Sequence, residues 1–337
     1  MAPGCAHEVE RDHIRRLHHH GDPLDTQGRL DLDALGPMMA FYRDAGCDGV
    51  TLLGVMGEAP KMSSGETRAL LTEAVRYAGH MTVLVGLGAM GVAPFCEASK
   101  ALVDLGAHGV MVNAPATLKT DADGVSYFTQ VGQGLGDIPF VLQDFPVATG
   151  VHLPSETLKV VGETCENLMM LKLEDWPSWS KITHLRARAD KGEIRRLSIL
   201  SGFGALYLPE DLMCGSDGAM TGFSFPEMLR AVCDLAAQDA HERMYDVFDA
   251  FAPLVRMEMS LTTGLAVRKY ILHRRGVLPT PTLRAPGAAL TPDDRSRVDR
   301  LLARLEQRCD AIGFDVQLVA PLAERAQTTS FNREELQ

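Results

Sequence analysis

Short apolar runs with almost no polar interruption recur along the chain, most of them followed by a segment of helical periodicity. CDGVTLLGV (47–55), MTVLVGLG (81–88), GVMVN (109–113), PFVLQD (139–144), LMMLKL (168–173), RLSILS (196–201) and DGAMT (217–221) read as strands. Their lack of alternation implies burial on both faces, as in a parallel sheet covered by helices. Seven such units at intervals of roughly 25–30 residues predict an α/β fold, a (β/α)₈ TIM barrel with additional C-terminal helices. The rival is an open doubly wound sheet, which the absence of a G-x-G-x-x-G after the first strand weakens.

Ser63 and Glu66 form a capping-box pair that opens a helix to about Ala78. Further helices are expected near 94–105, 124–134 and 155–164, and over 37–45, where Pro37 stands in the first turn. The eighth strand must precede residue 47. The candidate is 13–22, a poor strand because His18, His19 and His20 occupy its centre. The expected layout is a barrel over 1–223, helices over 224–315 packed on it, and a polar tail over 316–337.

Composition narrows the function classes. The chain has 337 residues, 46% hydrophobic and 23% charged, with a net charge of −11. That charge argues against a nucleic-acid partner, which requires a basic face. One basic cluster, Lys269 with His273, Arg274 and Arg275, reads as a solvated helix end. No apolar run approaches the roughly 20 residues needed to cross a bilayer, so no membrane partner is expected. Seven scattered cysteines without a C-x-x-C pair support neither a disulfide framework nor a zinc knuckle, and imply a reducing, cytoplasmic location.

The active site of such a barrel lies at the C-terminal ends of its strands. Lys172 stands there within MMLKLE, where an amine must be either desolvated or paired. Desolvation yields the neutral nucleophile that attacks a carbonyl; the alternative is a snorkelling or salt-bridged lysine. Gly54 and Gly57 flank a turn whose backbone amides can approach an anion. Gln143 and Asp144 are successive strand residues, so only one of them faces the barrel. Ser201 and Gly202 end another strand in a backbone-exposing turn. Glu58 is read as rigidifying its own turn. Three consecutive histidines beside Asp22 suit a metal poorly, because adjacent strand residues point to opposite faces. Trp176 and Trp179 follow the lysine strand and are either a wall against the amine or ordinary loop packing.

Together these pieces resemble the dihydrodipicolinate synthase and N-acetylneuraminate lyase superfamily over roughly residues 22–280. The resemblance rests on DPLDTQGRLD (22–31), GVMGE (54–58), FPVATGV (145–151), LKLED (171–175), LSGFG (200–204) and GSDGAMTG (215–222). It implies a homo-oligomer, a dimer or tetramer. It also implies no metal or organic cofactor, a 2-oxo acid substrate, and Lys172 as the imine-forming lysine. The substrate contacts implied are Gly54, Val55, Met56, Gly57, Gln143, Ser201, Gly202 and Thr221.

The departures are equally specific. Val55 and Met56 replace the family's turn threonines, and Gln143 replaces its proton-relaying tyrosine. No tyrosine stands in 113–116, and Ala148 occupies the place of a carboxylate-binding arginine. Glutamine transfers no proton near neutral pH. Proton transfer is therefore assigned to Glu174 or Asp144, with Asp175 a further candidate and Tyr127 or Tyr207 as migrated replacements. The expectation is a carbon–carbon lyase other than dihydrodipicolinate synthase itself. Alternatives are a hydratase or decarboxylase using the same imine, and a ligand-binding barrel without turnover.

Overall fold

The computed structural model describes residues 16–19, 21–54, 57–260 and 262–316. Eight parallel strands close into one barrel in chain order. They are β1 (Arg16–His19), β2 (Gly49–Leu52), β3 (Thr82–Gly86), β4 (Gly109–Asn113), β5 (Phe140–Asp144), β6 (Leu168–Leu173), β7 (Ser198–Ser201) and β8 (Gly218–Thr221). Each of the seven apolar runs contains one strand. The doubly wound alternative is excluded because β1 pairs with both β2 and β8.

The helices between strands are α1 (Leu35–Asp44), α2 (Ser64–Tyr77), α3 (Val92–Val103) and α4 (Asp121–Leu135). They continue with the short α5 (Pro146–Thr149), then α6 (Ser155–Thr164), α7 (Trp179–Asp190) and α8 (Leu208–Met213). The capping box forms with both halves present: the Ser63 side chain accepts from the Glu66 amide, and the Glu66 carboxylate accepts from the Ser63 amide. After β8 come α9 (Pro226–Ala237), which packs on β1 and β8, then α10 (His241–Glu258), α11 (Gly264–Arg274) and α12 (Pro292–Ile312).

Alternation along the strands sorts the core into layers. Leu17, Leu84, Met111, Val141, Met170, Leu200 and Met220 meet inside the barrel. Intervening residues such as Val110, Leu142, Leu171 and Ile199 pack outward against helices. The same rule explains how β1 tolerates a histidine. His18 points outward, stacks on Tyr42 of α1 with ring centroids 4.4 Å apart, and places Nε2 2.7 Å from the Phe223 carbonyl. His20 and the side chain of His19 lie outside the described residues, as does the tail beyond Val316.

The basic cluster is not a solvated helix end. Lys269 is fully buried, and its Nζ donates to Glu58 Oε1 at 2.7 Å and to the Thr282 carbonyl at 3.1 Å. Arg275 is buried too, over the Phe225 ring and paired with Glu227. Amphipathic periodicity concealed this, because α11 carries cations toward the barrel as well as away from it.

Glu58 does rigidify its turn, and also ties it to distant chain. Its carboxylate accepts from Lys61 Nζ at 2.7 Å, from Lys269 and from the Arg284 amide at 3.0 Å. Burial pushes the Glu58 carboxyl up, but its hydrogen bonds with Lys269 and Lys61 outweigh that and leave it lowered. Removing one member of a buried pair leaves the other uncompensated. Glu58→Gln is therefore expected to destabilise the fold by about 3 kcal/mol in urea unfolding, and Glu58→Gln with Lys269→Met by less than the sum of the two single changes. Additive losses would show that the pair is not coupled.

Candidate active site

A cavity of about 640 Å³ opens at the C-terminal ends of the strands, lined by Lys172 and Glu174 together with Gly54, Asn113, Gln143 and Thr221. Register positions the polar row at its base. Asn113 pairs with Gln143, and Gln143 pairs with Lys172, so three neighbouring strands carry their polar residue at one level. Parity then turns Leu173 into the outer apolar layer and returns the next residue, Glu174, to the lysine's side.

Three donors converge on the Glu174 carboxylate. Lys172 Nζ lies 3.0 Å from Oε2, Gln143 Nε2 donates to Oε2 at 2.6 Å, and the Phe203 amide donates to Oε1 at 2.9 Å. The Phe203 contact comes from a turn in which Phe203 has a φ of 47°, in the left-handed region. Gly202 makes room for the carboxylate, since a β-carbon there would sit 2.3 Å from Glu174 Cγ. Lys172 is 4% exposed. Burial lowers its ammonium below the ordinary lysine value, Glu174 opposes that shift, and the charge of Arg268 adds to it.

The other expected residues divide. Asp144 faces away from the cavity: its carboxylate accepts from Lys181 Nζ at 2.6 Å, and the same ammonium pairs with Asp175 at 2.6 Å. Burial, partly offset by Lys181, raises the Asp144 carboxyl to about 6. Ser201 likewise turns outward, donating to Asp211 Oδ2 at 2.6 Å. Gly57 donates its amide to the Gly54 carbonyl and packs against the Asp22 carboxylate, so its own amide serves the turn. Gly202 supports Glu174 rather than lining the cavity. Val55 and Met56 lie outside the described residues.

No tyrosine lines the cavity among the described residues. Tyr127 donates to the Met90 carbonyl, and Tyr207 stacks on Trp176. Trp176 and Trp179 are substantially exposed and form no wall against the amine, but Trp176 backs Phe203, which does line the cavity. Among the described residues no group of three or more His, Cys, Asp or Glu is placed to hold a metal.

Three contributors were missed from sequence, the first being Asn113, which carries no acid–base signal and lines the cavity at the level of Gln143. Arg268 lies on α11, far along the chain from every strand end, and still lines the cavity. The Phe203 backbone amide had no side-chain signal; only the flanking Gly202 and Gly204 marked a turn that exposes backbone.

The sequence profile of the Dihydrodipicolinate synthetase family matches residues 18–305. A 4-hydroxy-tetrahydrodipicolinate synthase of Kineococcus radiotolerans is 30% identical over 276 residues, covering 81% of this chain and 86% of that protein. An L-2-keto-3-deoxyarabonate dehydratase of Azospirillum brasilense is 28% identical, covering 83% and 90%. The crystal structure of a dihydrodipicolinate synthase from Rhodopseudomonas palustris superposes with a TM-score of 0.85 at 38% identity, covering 88% and 99%.

The electrostatics give a signed expectation. The Lys172 amine is expected to react with an acylating reagent at a lower pH than ordinary lysines, as read by labelling and mass spectrometry. Glu174 favours the ammonium, so Glu174→Gln is expected to move that half-reaction pH further down. Gly202→Ala, which drives a methyl into Glu174, is expected to move it the same way. An upward shift in either variant would contradict the geometry.

Proposed function

Because the chain belongs to the dihydrodipicolinate synthetase family of lyases and aldolases, we propose that it breaks a carbon–carbon bond in a 2-oxo acid through an imine on Lys172. The observation that carries this reading is the buried Lys172 amine 3.0 Å from Glu174, inside the mouth of a barrel. Burial favours the neutral amine, which is the form that attacks a carbonyl.

Attack of Nζ on the C2 carbonyl forms the carbon–nitrogen bond of a carbinolamine. One nitrogen proton moves to the carbonyl oxygen, and Glu174, carrying the proton that Lys172 gave up before attack, protonates the departing hydroxyl, so that water leaves and an iminium remains. The iminium then draws in the C3–C4 bonding electrons while the C4 hydroxyl gives its proton to the Glu174 carboxylate, releasing an aldehyde and leaving an enamine. Protonation at C3 and hydrolysis return the free lysine. Gln143 and the Phe203 amide hold Glu174 in place through these transfers. Asn113 faces the same space with a buried Oδ1 that has no hydrogen-bond partner, an acceptor suited to a substrate hydroxyl.

Dihydrodipicolinate synthesis is not the activity we assign, because Gln143 stands where a proton-relaying tyrosine is expected and residues 113–116 supply no partner tyrosine. A carbon–oxygen lyase is the second reading, favoured by similarity to the Azospirillum dehydratase. In that reaction the enamine, formed by loss of a C3 proton, expels a C4 hydroxyl as water. We place the enzyme in the reducing cytoplasm, a reading supported by six free cysteines among the described residues, and take it as a homo-oligomer on the family resemblance alone. Among the described residues no helix is long and apolar enough to cross a membrane.

Borohydride reduction in the presence of a panel of 2-oxo acids is expected to leave a covalent adduct on Lys172 and none in Lys172→Ala. Glu174→Gln is expected to retain binding and lose roughly 10²–10⁴-fold in turnover. Product analysis separates aldehyde release from dehydration. Tight binding of a 2-oxo acid without any trapping would favour a ligand-binding barrel instead.

A further inference from the structure

The mouth of the barrel is divided by chemistry. Asn113, Gln143 and Lys172 share its base with Glu174, at the level set by strand register. Leu87, Phe145, Phe203, Met259 and Leu265 line the cavity beyond the strand ends. Charged groups in the same walls are turned to protein partners: Glu58 pairs with Lys61 and Lys269, and Arg268 pairs with Glu258. A cavity of about 640 Å³ encloses a drug-sized molecule, far more than the reacting end of a 2-oxo acid fills.

Two of the apolar side chains form a wall beside the reacting pair. The Phe145 and Phe203 rings stand edge to face with centroids 6.4 Å apart, and Trp176 follows 6.2 Å from Phe203. Both phenylalanines are tied to the base by short steps of backbone. Phe145 comes two residues after Gln143, and the Phe203 amide is the one that donates to Glu174 at 2.9 Å. That hydrogen bond does not need the ring. Phe203 has a φ of 47° between Gly202 and Gly204, and a third glycine would present the same amide without the steric cost of a β-carbon. What the phenylalanine adds is a ring facing the cavity. Aromatic rings receive another ring edge to face or offset, and gain by it beyond the apolar area removed from water.

We propose that this wall receives an aromatic ring of the substrate, so that the 2-oxo acid turned over carries an aryl group on C4. This rests on the imine reading, which fixes C2 at Lys172. Cleavage passes the C3–C4 electrons to the iminium and the C4 hydroxyl proton to Glu174. An aryl aldehyde leaves, and protonation of the enamine at C3 followed by hydrolysis yields pyruvate. A substrate rich in hydroxyls would instead turn its donors and acceptors toward Leu87, Met259 and the two phenylalanines, where they find no partner.

The test uses three 4-hydroxy-2-oxobutanoates that differ only in the group on C4: phenyl, cyclohexyl or methyl. The kcat/KM for consumption of each acid, which counts cleavage and dehydration alike, is measured in the wild type, Phe145→Leu and Phe145→Tyr. The wild type is expected to prefer phenyl to methyl by roughly 10–100-fold, and phenyl to cyclohexyl by roughly 3–10-fold. Phe145→Leu is expected to remove most of the preference for phenyl over cyclohexyl, a ratio that a merely structural role would not move. Phe145→Tyr is expected to retain it.

A wild type that uses phenyl no better than methyl, or no better than cyclohexyl, would overturn the proposal. So would a preference for phenyl that is unchanged in Phe145→Leu. Calorimetric binding of the same three acids to Lys172→Ala reads the ring contact independently of the imine and of any change at Phe145. Tightest binding of the phenyl acid is expected there, and equal binding of all three would sink the aromatic wall. If the wild type consumes none of the acids, the imine reading fails while calorimetry still decides what the wall receives.

Discussion

The alternation of β6 carries the Lys172 amine into the barrel interior and brings Glu174 to its side two residues later. Most of the mouth is arranged around that pair. An ammonium removed from water is costly unless it is paired or gives up its proton, and here both outlets are open. Glu174 favours the charged form, while burial and Arg268 favour the neutral one. The amine and the carboxylate that opposes its deprotonation stand 3.0 Å apart. Gln143, the Phe203 amide and the space over Gly202 all act on the same carboxylate, and shifting any one of them moves the balance.

Much of the fold was legible because burial on two faces leaves a plain trace in sequence. The strands β4 and β6 occupy the runs GVMVN and LMMLKL residue for residue, and the capping box at Ser63 forms as its spacing requires. The site was legible where chemistry and parity agreed, as for Lys172 and Glu174 on one strand. It was not legible where parity had to be known across strands. Asp144 is the more reactive of two adjacent residues, yet the pairing of Gln143 with Lys172 sends Asp144 outward to Lys181. Ser201 turns outward for the same reason, since it pairs with outward-facing Leu173. Lys269 and Arg268 are adjacent on one helix and become intelligible only once α11 is laid against the barrel.

Backbone conformation concentrates at the same place. Among the described residues five non-glycine positions have positive φ, and four of them, Leu53, Glu58, Phe203 and Ala205, follow β2 and β7 at the mouth. Each costs of order 1–3 kcal/mol and persists only where the surroundings enforce it. The contacts of Glu58 with Lys61, Lys269 and the Arg284 amide supply that enforcement on the β2 side. On the β7 side the Phe203 amide gains the Glu174 carboxylate, so the strained residue is also the one that holds the acid.

The lysine and its carboxylate sit two positions apart on a single strand, whereas Arg268 arrives on a helix about a hundred residues downstream. The pair at the base of the cavity is thus encoded within three residues, while part of the wall facing it is encoded far downstream. A change in α11 alters that wall, and the field at the Lys172 amine, without altering the register of β6. A change in the register of β6, by contrast, moves the pair itself. Such a chain varies the walls of its cavity more easily than the pair at its base.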